Sequence, residues 1–173
     1  MNKADVLKEI IEQRRSIFPK DYNLEPISQE VLDEVLHSAT LAPNHKRTKP
    51  WRFKVFRGED KAKLGVEMQE IYKKSQPPHL FLEKKYNDIG AKINKADVVI
   101  SIVVNFSMMV PEWEEIAAVS MAVQNMYLTC TAHNVGCYWS SPKIVEALQE
   151  SLTIEENQKC LGLFYMGNKD VND

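Results

Sequence analysis

The stretch from residue 111 to residue 133 is apolar on every side when it is read as a helix. It opens on Pro111, which suits the first position of a helix, and acidic side chains follow in the first turn, where they offset the helix dipole. Its apolar positions lie all round the axis and include Ile116, Ala117, Val119, Met121, Val123, Met126, Leu128 and Cys130. We therefore expect this helix to be buried on every side, either by its own core or by a partner subunit.

Four shorter runs predict the strands of a sheet. Alternating or β-branched apolar residues occur at 51–56, 97–104, 135–139 and 160–166. The second run is nearly continuous in Val and Ile, which is typical of a strand covered on both faces. It should therefore lie centrally in the sheet.

Helical periodicity accounts for most of the remaining chain. Apolar side chains recur three and four residues apart in segments that predict helices at 2–15, 28–39, 64–72 and 80–95. A further helix is expected to open at Ser141 and Pro142, and Thr153 with Glu156 has the spacing of a capping box. The pattern predicts an α+β protein. A chain of 173 residues buries roughly 70% of its surface on folding, which favours one domain over residues 1–173.

Composition argues against several classes of function. The formal net charge is −2, so no overall charge attracts nucleic acid or an anionic membrane. The N-terminus lacks the apolar core of a signal peptide, and the longest apolar run is far short of the ~20 residues that span a bilayer. We expect a cytoplasmic protein with neither nucleic-acid nor membrane partners. Three cysteines without CxxC spacing predict buried free thiols.

The common cofactor, metal and acid–base motifs are missing or weak. No GxGxxG turn follows a strand, and the residues between Gly162 and Gly167 belong in a strand rather than in a phosphate-binding loop. The four histidines lack metal-ligand spacing, so no metal site is predicted. Glu112, Glu114 and Glu115 could act as acid–base groups, but a solvated helix N-terminus explains them better.

Two basic stretches are more informative. Arg14, Arg15 and Ser16 together suit a phosphate monoester, because guanidinium binds phosphate bidentately and the hydroxyl adds a hydrogen bond. The alternative is a helix end at which the cations offset the dipole. Residues 42–53 form a loop rich in cations between two rigid elements, which suits an anion or a planar heterocycle. A nucleic-acid patch is a weaker interpretation of the loop because the overall balance is acidic.

These stretches resemble one family when they are taken in order. The Arg-Arg-Ser run, the loop Ala-Pro-Asn-His-Lys followed by Pro-Trp-Arg-Phe, and residues 122–126 leading to Gly-Cys-Tyr-Trp are similar to the FMN-dependent nitroreductases, especially small bacterial members. The resemblance implies a three-layer α+β sandwich with a mostly antiparallel, mixed sheet flanked by helices. It also implies an intertwined homodimer with FMN at the subunit interface.

The resemblance implies an FMN-dependent NAD(P)H oxidoreductase acting on nitroaromatics, quinones or similar acceptors by ping-pong hydride transfer through flavin N5. The chemistry resides on the flavin, so no catalytic protein residue is expected. The resemblance also implies the residues that bind the cofactor. The phosphate and ribityl chain would be held by Arg14, Arg15 and Ser16, with Lys169 a further candidate for the phosphate. The flavin would be approached from the loop, partly of the other subunit, by Leu41, His45 and Arg47, and from the late strand by Trp139, Ser140 and Ser141.

This chain departs from the family pattern at three positions. Arg47 and Lys49 stand where many members carry amides, and Phe18 stands where relatives often carry Arg. Lys20 is a candidate to replace that charge. Two alternatives stay open on the same scaffold. The first is a flavin-binding or storage protein without productive turnover, and the second is a reductive dehalogenase, which would need a lid from residues 76–94.

Overall fold

The computed structural model describes residues 2–148 and 151–170. Within these residues the chain forms five α-helices and four β-strands. The helices are α1 (Lys3–Gln13), α2 (Gln29–Thr40), α3 (Gly58–Ser75), α4 (Glu83–Lys95) and α5 (Glu112–Ala132). The strands are β1 (Trp51–Phe56), β2 (Val98–Asn105), β3 (Val135–Ser140) and β4 (Gln158–Asn168). Short 3₁₀ turns occur at Pro19–Asp21, His45–Arg47, Pro78–Leu80 and Lys143–Ala147.

The strands form one sheet in the order β1-β2-β4-β3, and each of these neighbouring pairs is antiparallel. The central position expected for the β-branched run is confirmed, since β2 lies between β1 and β4. A register shift in β2 lies next to Gly162 of β4, whose φ is +142°. A Cβ at Gly162 would lie 2.3 Å from the carbonyl oxygen of Ser140, so only glycine fits there.

Helices cover both faces of the sheet, which confirms the three-layer α+β class. Val98, Ile100 and Ile102 of β2 face the core formed with α2 and α5. The alternate residues Val99 and Val103 face a second core that includes side chains of α3, α4 and the Lys143–Ala147 turn. This alternation follows from the period of two along a strand.

Local signals explain where the first two helices begin. The side chain of Asn2 accepts a hydrogen bond from Asp5 N (3.0 Å), and that of Ser28 accepts one from Val31 N (3.3 Å). Both are N-cap bonds that satisfy free amides of the first turn.

Two expectations for the segment after β3 are wrong. The helix expected after Pro142 is the short 3₁₀ turn Lys143–Ala147. The capping box of Thr153 and Glu156 is also absent, because no helix follows it. Instead, Gln158 N donates to Glu155 O (2.9 Å) in a turn that leads directly into β4.

The expectation that residues 111–133 are buried is met on one side by the chain's own core, and burial of the other side by a partner subunit stays a prediction. One face of α5 is buried in the chain's own core, with Val119 and Val123 at most 1% exposed. The opposite face is open in the single chain, where Trp113 is 68% and Met121 40% exposed. The side chains are apolar on both faces, but the chain's own core covers only one.

Other features of the chain agree with the sequence. Cys130, Cys137 and Cys160 are free and buried, as predicted. The residues from Gly162 to Gly167 lie in β4, which excludes a phosphate-binding loop there. Within the described ranges, none of the helices has the length and apolar character needed to cross a membrane.

Candidate functional site

The segment that follows α1 runs along the open edge of β3. Ile17 N donates to Cys137 O (2.9 Å), and Tyr22 OH donates to Ile17 O (2.8 Å). The Tyr22 ring covers Gly136 and Gly167, where a Cβ would lie 2.7 Å and 2.3 Å from ring carbons. Burial raises the pKa of Tyr22, so its hydroxyl stays a neutral donor. Tyr22 thus fixes the position of the segment that carries Arg14 and Ser16.

Arg14, Ser16 and Trp139 converge on Tyr127 of α5. The Arg14 guanidinium carbon lies 5.5 Å from the centre of the Tyr127 ring. The Tyr127 hydroxyl accepts a hydrogen bond from Trp139 N (2.7 Å) and lies 3.3 Å from Ser16 Oγ. No carboxylate pairs with Arg14 among the described residues. The result is a cation and a hydroxyl that both contact Tyr127, with the cation available to an anion.

Arg15 has a different role from Arg14 in the single chain. It is exposed, and its Nη1 donates to the carbonyls of Glu12 (2.7 Å) and Arg14 (2.9 Å). These bonds satisfy carbonyls at the C-terminus of α1, which helices leave unpaired. The helix-end interpretation therefore applies to Arg15, whereas Arg14 faces Tyr127.

Ser140 ends β3 and contacts a lysine that the motifs do not single out. Lys92 Nζ donates to Ser140 Oγ (3.0 Å) and lies 4.4 Å and 4.6 Å from the ring centres of Tyr138 and Tyr165. Burial lowers the pKa of Lys92 to about 8. Ser141 is the next residue and is exposed. The structure thus adds a part-buried cation to the end of β3.

A cavity of about 730 Å³ lies along the same edge of the sheet. Its walls are Phe18, Pro19, Lys20, Asp88, Ala91, Lys92, Lys95 and Tyr138. The Phe18 and Tyr138 ring centres are 4.5 Å apart. Because Phe18 follows Ser16 by two residues, the cavity begins within about 7 Å of backbone from the Arg14 cluster. Lys20 is in the cavity wall and also pairs with Asp21 (3.0 Å).

The basic loop after α2 lies elsewhere in the chain. His45 Nδ1 lies 2.6 Å from Glu114 Oε2, and Lys46 Nζ donates to Met109 O (3.0 Å), so the loop is held against the start of α5. Leu41 is 67% exposed. Lys46, Arg47 and Lys49 have φ values of 50°, 55° and 46°, a left-handed conformation that costs energy in residues with a Cβ.

One chain does not bring the loop and the Arg14 cluster together. The loop contacts α5 at Glu114, and the cluster contacts it at Tyr127. Thirteen residues of α-helix separate these positions, a distance of about 20 Å at 1.5 Å per residue. His45 is therefore well separated from the group of Arg14, Ser16 and Trp139. Leu41 follows Ser38, whose carbonyl accepts a hydrogen bond from Asn125 Nδ2 (3.0 Å), so it lies nearer to the middle of α5 than His45 does.

Lys169 lies just beyond the end of β4. The register pairs Asn168 with Val135 at the start of β3 and Leu163 with Ser140 at its end. Lys169 is therefore at the opposite end of β3 from Ser140.

The three acidic residues at the start of α5 are not equivalent. Glu112 is exposed, and Glu114 pairs with His45. Glu115 is only 1% exposed, and its Oε2 accepts a hydrogen bond from Ser107 N (2.9 Å). Its Oε1 has no partner among the described residues. The solvated-terminus interpretation is therefore wrong for Glu115, which ties the 106–110 connection to α5.

Similarity to known proteins extends over most of the chain. A model of the Nitroreductase family matches residues 11–168. The chain belongs to the nitroreductase family. The Bacillus subtilis protein YfhC, whose own assignment as an NAD(P)H nitroreductase is provisional, is 28% identical over 181 residues, covering 98% of this chain and 88% of that protein. The resemblance drawn from the sequence is thus confirmed at the level of the family.

Solved structures of the nitroreductase family share the fold. A nitroreductase-like protein from Bacillus cereus aligns with a TM-score of 0.78 at 24% identity, covering 95% of this chain and 86% of that chain. The FMN-dependent nitroreductase NfnB from Mycobacterium smegmatis, solved with NADPH, aligns with a TM-score of 0.79 at 16% identity, covering 98% and 90%.

Three side chains organise the candidate site of this nitroreductase-family protein without having been singled out from the sequence. They are Tyr22, Lys92 and Tyr127. Tyr127 leaves a usable signal, because it is a polar-tipped aromatic within an otherwise apolar helical stripe. Lys92 leaves none, since lysines are common on the exposed faces of helices.

Proposed function

We propose that this protein is an FMN-dependent NAD(P)H oxidoreductase that reduces nitroaromatic, quinone or similar acceptors. The observation that carries the proposal is the Arg14 guanidinium, which has no carboxylate partner in the described structure and lies over the Tyr127 ring, whose hydroxyl is 3.3 Å from Ser16 Oγ. An aromatic-walled cavity begins two residues farther along the chain, at Phe18. Membership of the nitroreductase family and the likeness to NfnB support it.

The residues present suit FMN. Arg14 and Ser16 would hold the phosphate, because a free guanidinium and a hydroxyl match its charge and its acceptor oxygens. Arg15 is close enough in sequence to add charge, although its Nη1 is engaged by main-chain carbonyls. The cavity of about 730 Å³ would hold the ring system, since its size lies within the range of about 300–1,000 Å³ typical of small-molecule sites.

The chain's own residues would bind and orient the cofactor. When bound, FMN supplies the redox chemistry, which is two-electron transfer between a nicotinamide and an organic acceptor. Phe18 and Tyr138 offer an apolar surface for a planar ring. Tyr138 belongs to β3, and Tyr22 keeps the segment that carries Phe18 against that strand. Lys92 places a positive charge in the cavity wall, which favours negative charge that develops on a group bound there.

A homodimer would complete the site. The open face of α5 carries Trp113, Ala117, Met121 and Gln124 at spacings of four, four and three residues. Two α5 helices packed antiparallel about Met121 would place residue 114 of one copy opposite residue 128 of the other. The loop with Leu41, His45 and Arg47 would then approach the Arg14 cluster of the second copy.

The remaining predicted residues take secondary places in this proposal. Trp139 would act through its main chain, because its indole Nε1 is buried beside Gly162. Ser140 and Ser141 would contact the ring from the end of β3. Lys169 would serve the phosphate only if the ligand reaches the far end of that strand. The single FMN-binding domain over residues 1–173 and the cytoplasmic location stay predictions.

The structure does not favour the dehalogenase alternative. That alternative needs residues 76–94 as a lid, but this segment contains α4, which is hydrogen-bonded to α3. Gln69 Nε2 donates to Tyr86 O (3.0 Å), and Leu82 N donates to Tyr72 OH (3.1 Å). A segment held in this way serves as a wall of the domain.

The first experiment is the visible spectrum of the purified protein with added FMN, before and after NADH or NADPH under anaerobic conditions. A bound-flavin spectrum that bleaches rapidly, and recovers when a nitroaromatic or quinone is added, is the expected result. Bound flavin that does not bleach would favour the storage alternative. Failure to bind FMN would overturn the proposal.

A further inference from the structure

A second cavity, of about 600 Å³, lies on the α3–α4 side of the sheet. It has apolar walls of its own, and it shares Ser140 and Lys92 with the site proposed for FMN. Its apolar walls come from Met68, Ile71 and Tyr72 of α3, Ile89 of α4, Ile144 of the 3₁₀ turn and Tyr165 of β4. This volume and an apolar lining are typical of a site for a small organic molecule.

Three lysines face this cavity, and no acidic residue lines it among the described residues. Lys85 and Lys92 lie seven residues apart on α4, about 10 Å along one face of the helix, with Ile89 between them. Lys143 lies on the opposite wall and has no polar partner in the described structure. The cavity therefore combines an apolar interior with uncompensated positive charge.

Lys92 lines this cavity where α4 meets the end of β3. Its ammonium group is held by Ser140 Oγ at 3.0 Å and by the rings of Tyr138 and Tyr165, all of which are neutral. Burial without a counter-charge lowers the pKa of Lys92 to about 8. A carboxylate placed here would supply the missing counter-charge and reverse that shift.

We propose that this second cavity binds a small aromatic carboxylate, with its ring among Met68, Ile71 and Tyr165 and its carboxylate on Lys92. An aromatic body is favoured because tyrosine rings line the wall, and edge or stacked contacts between rings add to simple burial. The carboxylate is favoured because the charged groups of the lining are all lysines. Lys92 also lines the first cavity, so an occupant here would change the charge that faces the other ligand.

The test is isothermal titration of the full chain with 2-naphthoate, and with the neutral isostere 2-naphthamide, each with and without saturating FMN. We expect 2-naphthoate to bind more tightly than the amide by about tenfold or more, as one charge-assisted hydrogen bond predicts. Saturating FMN should shift the affinity for 2-naphthoate through the shared Lys92 but should not displace the probe. Displacement of 2-naphthoate by FMN would overturn the proposal, because the probe would then lie in the first cavity. Equal affinities for acid and amide, or no binding of either, would also overturn it.

Variants assign the position of the probe. Lys92→Met should weaken 2-naphthoate by about 10- to 100-fold and leave the amide unchanged, whereas Lys84→Met, the same change on an exposed α4 residue outside the lining, should alter neither. Ile144→Trp, which fills the second cavity, should abolish 2-naphthoate binding, and Phe18→Ala, which alters the first, should not. If Phe18→Ala abolished 2-naphthoate binding and Ile144→Trp left it unchanged, the assignment to the second cavity would be contradicted. The proposal does not depend on flavin, so a protein that fails to bind FMN still tests it.

Discussion

Replacing Arg14 with alanine tests whether its guanidinium is a phosphate ligand. The relevant quantity is the change in affinity for FMN compared with the change for riboflavin, which has the same ring system and no phosphate. If Arg14 contacts the phosphate, FMN should lose affinity and riboflavin should not.

The expected size follows from the surroundings of Arg14. The side chain is half-buried over Tyr127, so solvent screens its charge less than at a fully exposed site. A hydrogen bond to a charged group contributes about 1.5–3 kcal/mol, which corresponds to about a 10- to 150-fold rise in the Kd for FMN. Loss of the contact between Arg14 and Tyr127 would lower the affinities for FMN and riboflavin by the same factor. This effect therefore cancels in the ratio of the two affinities.

The assay is titration of the apoprotein with FMN and riboflavin, followed by quenching of flavin fluorescence, in wild type, Arg14→Ala and Arg15→Ala. Arg15→Ala is the matched control, because Arg15 is exposed and its Nη1 is bound to main-chain carbonyls of α1. It should change FMN affinity less than Arg14→Ala does. Equal losses for FMN and riboflavin, or a larger FMN-specific loss in Arg15→Ala, would refute the reasoning.

Three further predictions concern the scaffold around the site. Gly167→Ala would place a Cβ 2.3 Å from Tyr22 Cδ2, so urea denaturation should show a loss of about 1–3 kcal/mol in the free energy of unfolding, and unchanged stability would contradict the contact. Because burial lowers the pKa of Lys92 from 10.5 to about 8, the unfolded chain binds more protons between these values, and wild type should gain stability relative to Lys92→Met as the pH rises from 8 to 10.5. A flat difference across that window would show that Lys92 is not buried as described. Met121→Asp should yield folded monomers in sedimentation analysis, because Met121 is on the open face of α5, whereas Val123→Asp, at a position 1% exposed, should unfold the chain. A Met121→Asp dimer would exclude this face as the interface.

The strands could be predicted because each leaves a local pattern. The β-branched run that becomes β2 is apolar at successive residues, which a strand covered by helices on both faces requires. The segment after Pro142 shows where such patterns are ambiguous. Val145 and Leu148 are both buried, but two apolar residues three apart fit a 3₁₀ turn as well as an α-helix.

The parts that could not be predicted depend on contacts between distant residues. Lys92 is buried because β3 and β4 bring Tyr138 and Tyr165 against α4, and nothing in the sequence near Lys92 signals this. The faces of α5 present the same difficulty. Both are apolar in sequence, so periodicity alone cannot separate the face that packs on the chain's own sheet from the face that the proposed second copy would cover.

The backbone of the basic loop strengthens the case for that second copy. Three residues with a Cβ, namely Lys46, Arg47 and Lys49, have left-handed φ values, each at a cost of about 1–3 kcal/mol. The pairing of His45 with Glu114 and the bond from Lys49 N to Asn44 Oδ1 (3.0 Å) hold this conformation in place. Backbone strain of this kind clusters where a protein contacts a ligand or a switch element. The cluster that suits a phosphate is about 20 Å away from the loop along α5. The proposed homodimer, in which an antiparallel partner helix carries the loop to the other copy's site, would give the strained loop a ligand to contact.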